Sequence, residues 1–127
     1  RFLLQLTGAQ SLAATGRRQQ ALAAYAELSN EHPDRSQVQQ GYGELLLTSS
    51  DPEQLQKALT VWRNVQRRAQ PQSPLGFQAK YSTALAHFKL GDRQKCRQMI
   101  VLLSTVHPEL GGTQMKARFD ALLQRSR

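Results

Sequence analysis

Few residues in this 127-residue chain are equipped for chemistry: one cysteine, three histidines, nine carboxylates and seventeen Lys and Arg side chains. Cys96 is a nucleophile only beside an oriented base. Its neighbours Arg93, Lys95 and Arg97 would lower its pKa if the sulfur reached solvent, which leaves a redox-sensing thiol as one reading. The other is packing, since a small, mildly apolar thiol suits a close helix contact. His87 has no carboxylate three or four residues on, and Cys96 is its nearest candidate co-ligand. A zinc ion needs three or four converging ligands, so His87 is expected to be structural. His32 and His107 each precede a proline, where a histidine suits the negative end of a helix dipole. Gly41-Tyr42-Gly43 resembles the start of a dinucleotide fingerprint, but no strand precedes it and the third glycine is missing. Glycines that let helices approach explain it better. The carboxylates are scattered, and no phosphate-loop lysine or paired histidine motif occurs. The expectation is a chain that is not an enzyme and takes neither metal nor other cofactor.

The basic side chains are the larger chemical resource. Seventeen cations against nine anions give a net charge of +8 and a pI near 10.4. Such a balance speaks to partners and solubility, not to fold. An anionic partner needs the charges gathered on one face. Arg63, Arg67 and Arg68 form one group, and Arg93 with Arg97 repeats the four-residue helical spacing further on. These five are the candidate anion patch. No aromatic residues interleave with them, which argues against single-stranded nucleic acid.

The elements that must position these residues are helical. At 39% hydrophobic and 20% charged the chain lies near the globular norm, so wholesale disorder is excluded. Aromatics make up only 6%, and the wealth of Ala, Leu and Gln favours helices over strands. No apolar run approaches the roughly 20 residues that span a bilayer. A single cysteine makes no internal disulfide. The chain opens at Arg1 without a methionine, which reads as a fragment of a larger protein with any targeting signal upstream; its compartment stays open.

A repeat organises the rest. Three prolines end successive segments at Pro33, Pro71 and Pro108, separated by 38 and 37 residues. The first segment carries Ala9, Leu12, Gly16, Ala21, Tyr25 and Leu28; the third carries Ala84, His87, Gly91, Cys96, Ile100 and Leu103. The middle one has Gly43, Leu46, Ala58, Trp62 and Val65, with three extra residues in its turn. Each segment reads as two helices. Glycine closes the first helix at Gly16 and Gly91, and apolar residues at helical spacing mark the second. Capping boxes are predicted at Asp34 with Gln37 and at Asp51-Pro52 with Gln54, a helix start at Ser73-Pro74, and a cap at Thr113. The last helix carries Met115, Phe119, Leu122 and Leu123 on one stripe.

Small residue, large residue, glycine, alanine, large residue and proline at these intervals resemble the tetratricopeptide repeat (TPR). The likeness runs from Phe2 to Pro108, with Cys96 and His87 standing where the motif has alanine and tyrosine. It implies an all-α, right-handed α-solenoid of three helix hairpins, at about 2–34, 35–72 and 74–109, and a capping helix at about 113–125. It also implies a non-catalytic protein-interaction or scaffold module whose first helices line a concave groove for a peptide or partner helix. The groove positions carried over are Leu3, Leu6, Gln10 and Ala13, then Gln37, Gln40, Glu44 and Leu47, then Gln78, Tyr81, Leu85 and Phe88. Tyr81 and Phe88 are expected to be anchors that the core does not need, the alternative being that Tyr81 packs against the neighbouring unit and Phe88 covers the final helix. The subgroup clamping C-terminal carboxylates uses Lys and Asn where this chain has Leu6, Gln10, Gly41, Gln78 and Ser82, so that activity is not implied. Stacked second helices would gather the five arginines on a convex face for a polyanion or nucleic acid, the alternative reading. A third is a scaffold or regulatory end of a larger enzyme.

Overall fold

The computed structural model describes residues 1–127 and contains seven α-helices, 78% of the chain, and no strand. They are α1 (Phe2–Ala14), α2 (Arg18–Glu31), α3 (Ser36–Leu47), α4 (Pro52–Arg68), α5 (Pro74–Lys89), α6 (Arg93–Val106) and α7 (Thr113–Arg125). No helix is long and apolar enough to cross a membrane.

Packing follows chain order. Each helix lies against the ones before and after it. Beyond that, the backbones of α1 and α3, of α3 and α5, and of α5 and α7 approach closely, while those of α2, α4 and α6 stay apart and α2 reaches α4 only through side chains such as Arg18 and Leu22. The core is accordingly divided into three. Leu6, Ala9, Tyr25, Leu28 and Val38 fill the first, between α1, α2 and α3. Leu46, Ala58, Trp62, Val65 and Ala79 belong to the second, between α3, α4 and α5. Phe77, Ala84, Cys96, Ile100, Phe119 and Leu122 belong to the third, between α5, α6 and α7. Tyr42 packs on the first two and Leu85 on the last two, so α3 and α5 each face two cores.

Close packing explains the paired glycines. A Cβ on Gly41 would stand 2.7 Å from the Tyr25 hydroxyl, and one on Gly43 would stand 2.6 Å from Trp62 Nε1. Large rings on α2 and α4 press against α3 where it has no side chain. Trp62 is fully buried, and its indole N–H finds no acceptor.

Helix ends repeat as well. At α1, Gly16 adopts φ +78°, and Arg17 N–H donates to Leu12 O at 2.9 Å while Gly16 N–H donates to Ala13 O at 3.2 Å. At α5, Gly91 adopts φ +91°, and Asp92 N–H donates to His87 O at 2.9 Å with Gly91 N–H donating to Phe88 O at 3.0 Å. Both are Schellman closures, 75 residues apart. Helix α3 lacks such a glycine and is closed from a distance. Arg18 donates to Leu45 O at 3.1 Å, to the Thr48 hydroxyl, and to Gln54 Oε1 at 2.7 Å, and Lys89 donates to Leu47 O. Cations at a helix C-terminus also meet the negative end of its dipole.

Two expected starts are corrected. Asp34 caps nothing: Pro33 and Asp34 lie in a turn, α3 begins at Ser36, and Arg35 precedes it without a side-chain cap. Thr113 is already the first residue of α7, behind Gly112 at φ +112°. Asp51 and Ser73 do cap, accepting from Glu53 N–H at 3.2 Å and Gly76 N–H at 3.0 Å, but Gln54 closes no box: Asp51 N–H donates to the Ser49 hydroxyl at 2.9 Å and Gln54 Oε1 accepts from Arg18. Asp92 likewise accepts from Lys95 N–H at 3.1 Å. Before α7, Leu110 sits at φ +51°, a left-handed conformation that costs a leucine about 1–2 kcal/mol. Its side chain is buried in the third core, which offsets that cost.

Candidate functional site

Two surfaces on opposite sides of α5 collect the polar chemistry. Residues 78, 81, 85 and 88 follow one another at helical spacing and share one side. On α3, Gln37 and Glu44 are exposed and Gln40 is half-buried. Gln78 Nε2 donates to Glu44 Oε1 at 3.0 Å, joining the two helices across this face, and Gln40 donates to the Ser36 hydroxyl at 2.8 Å. The side shared by α1, α3 and α5 therefore carries amides and a carboxylate. Two of its expected positions are not on the surface: Leu6 and Leu47 are buried in the first and second cores.

The aromatic anchors are committed elsewhere too. Tyr81 meets the Phe119 ring edge-on at 5.4 Å, with the Arg118 guanidinium 4.3 Å from its centroid. Phe88 lies between the guanidiniums of Arg125, at 4.7 Å, and Arg93, at 5.8 Å. Both rings are half-buried against the third core, as is Leu85. The expectation that the core does not need them is corrected: α7 docks on the end of α5 and takes up much of their surface.

Behind α5, the gap between α4 and α6 is a groove of about 550 Å³ lined by Thr60, Arg63, Gln66, Arg67, Thr83, His87, Lys95 and Met99. His87 forms part of its floor. Arg63 Nη2 lies 3.4 Å from His87 Nε2; a guanidinium only donates, so Nε2 accepts and the ring proton belongs on Nδ1. Burial first, then the Arg63 charge, holds the His87 pKa below its ordinary value of 6.5. The ring is neutral at neutral pH.

The five candidate arginines divide. Arg63 and Arg67 line this groove, whereas Arg93 and Arg97 line another, with Val101, Leu102 and Arg127. Arg68 is exposed and lines neither. Cys96 and Ile100 fix the inward line of α6. Lys95 and Met99 flank that line toward α4, and Arg93 and Arg97 flank it on the far side. A single patch holding all five does not form. Lys95, named from the sequence as a neighbour of Cys96 but not as part of the anion patch, is the cation α6 contributes opposite Arg63.

Cys96 is fully buried, and burial pushes its thiol up to about 11. It is packing, not a redox sensor, because the flanking cations lower a pKa only where the sulfur is open to them. No three His, Cys, Asp or Glu side chains cluster as metal ligands. His32 and His107 end α2 and α6, and each meets a phenylalanine edge-on: Phe2 at 4.8 Å and Phe77 at 5.7 Å. Both pairs are separated by 30 residues. That equal spacing is a repeat signal beyond the proline skeleton. No family model matches this sequence, and no curated protein or solved structure is significantly similar to it.

Proposed function

We propose that the chain is a TPR-like α-solenoid of three hairpins capped by α7, and a non-catalytic module that holds a peptide or partner helix on its α1–α3–α5 side. The observation that carries this is the order in which the helices pack: the backbones of the odd-numbered ones approach in series, and those of the even-numbered ones stay apart. Elements that meet on one side and splay on the other curve toward the side where they meet. A concave row of helix surfaces is what repeat proteins offer to extended or helical ligands. Gln37, Gln40, Glu44 and Gln78 supply adaptable donors and acceptors there, and the half-exposed edges of Tyr81 and Phe88 close the row at α7. Polyanion or nucleic-acid binding has less support, because the arginines divide between two grooves.

Peptide-display selection on the full chain tests the reading. Selected peptides should lose about tenfold or more in affinity when Glu44→Lys and Gln78→Ala are combined, with helical circular dichroism unchanged. Peptides indifferent to that pair, or a selection that yields none, would sink it.

A further inference from the structure

The groove behind α5 lies apart from the α1–α3–α5 side. We infer that it takes a phosphate monoester, carried on a phosphorylated side chain of a partner protein. Three exposed cations, Arg63 and Arg67 from one wall and Lys95 from the other, border a single cavity. None of them is in an ion pair; Lys116 with Asp120 is the chain's one pair of oppositely charged Lys or Arg and carboxylate side chains. No carboxylate lines the cavity. Asp92, whose charge reaches His87, lies outside that lining and is engaged at the start of α6 by the Lys95 backbone N–H. Like charges brought together without a counter-charge repel one another, and an anion between them removes that cost.

The donors fit three oxygens better than one. Arg63, Arg67, Lys95 and the Gln66 amide can all donate into the cavity. The Thr83 hydroxyl is already spent on Ala79 O at 2.8 Å, and the Thr60 hydroxyl on Gln56 O at 3.3 Å. His87, neutral and accepting from Arg63, acts as a positioning residue for that guanidinium. A monoester carries a charge of about −1.5 to −2 and three terminal oxygens, whereas a nucleic-acid diester carries one charge. The cavity exceeds a phosphoryl group and leaves room for the side chain that bears it. No Phe, Tyr or Trp ring lines it to stack a base, and Arg93 and Arg97 lie in the other groove.

The test is a titration of the full chain with three probes, read by backbone-amide NMR: a blocked alanine pentapeptide with a central phosphoserine, its unphosphorylated parent, and a short oligothymidylate. The phosphopeptide should shift Thr83, His87 and Lys95 saturably, and the parent should not. Arg63→Gln with Arg67→Gln should weaken it about tenfold or more, since charge-assisted bonds are lost. Arg93→Gln with Arg97→Gln should change it less than about twofold, being a screened and distant pair. Equal loss in the two double variants, or equal binding of the parent, would overturn the site. Oligothymidylate binding more tightly than the phosphopeptide, and depending on Arg63 and Arg67, would overturn the assignment to a phosphoprotein in favour of nucleic acid. Peptides selected on the α1–α3–α5 side should bind the Arg63→Gln, Arg67→Gln variant unchanged, so failure here is distinguishable from failure there.

Discussion

A methyl group added at Gly8 meets nothing within 4 Å, and one added at Gly43 meets the Trp62 indole. The two glycines lie inside helices and neither has a positive φ, so alanine is favoured at both by the backbone alone. Gly8→Ala should therefore stabilise by about 0.5–1 kcal/mol. Gly43→Ala gains the same term but must displace a fully buried ring that has nowhere to go, and a net loss of about 1–3 kcal/mol is expected. Urea unfolding followed by the emission of Trp62, the chain's one tryptophan, reads both outcomes. A stabilised Gly43→Ala would mean that α3 and α4 stand further apart than described. The same closeness explains the unpartnered indole N–H: the side chain facing it is a glycine's hydrogen, which accepts nothing. Cys96 follows the same logic of contact, where burial suppresses the chemistry its neighbours invite.

Helix ends separate what local sequence can specify from what it cannot. Replacing Ser73 by alanine should cost about 1 kcal/mol, because Gly76 N–H loses its acceptor. Replacing Asp34 should change stability by less than about 0.5 kcal/mol, as for surface sites without a structural role. Thermal melts of the two variants decide it, and equal losses would restore Asp34 as a cap. Asp51-Pro52, Ser73-Pro74, Gly16 and Gly91 were legible because each acts within its own turn: proline presets φ, a short oxygen reaches an N–H two or three residues on, and glycine accepts a positive φ. Asp34 misled because Pro33 draws it into a turn two residues ahead of α3. The closure of α3 by Arg18 and Lys89 was not legible, since those donors lie 27 and 42 residues from the carbonyls they meet. The candidate sites show the same limit. Spacing placed Gln78, Tyr81, Leu85 and Phe88 on one side of α5, but not α7 over its end. It matched Arg93 with Arg97, but Cys96 decides which side of α6 faces α4, and that side carries Lys95.

At the scale of the whole molecule, α7 closes the third core with Phe119 and Leu122, each 1% exposed. Deleting residues 113–127 should remove about 3–6 kcal/mol of apolar burial at most, bare Tyr81 and Phe88, and lower melting temperature and solubility together. Differential scanning calorimetry with sedimentation velocity measures both; a monomer with unchanged melting would show that α7 is not docked. Apolar side chains already stand open toward the two ends: Leu3 and Leu4 on α1, and Val101, Leu102 and Val106 on α6. The division of the interior has a different consequence. No contact joins α1 to α6 or α7, so loosening one end removes no partner from the other. Coupling between neighbouring cores passes through Tyr42 on α3 and Leu85 on α5, with Leu22 and Arg18 of α2 adding to the first crossing. Unfolding need not be all-or-none in such a chain, and a single free energy would describe only whichever part yields first.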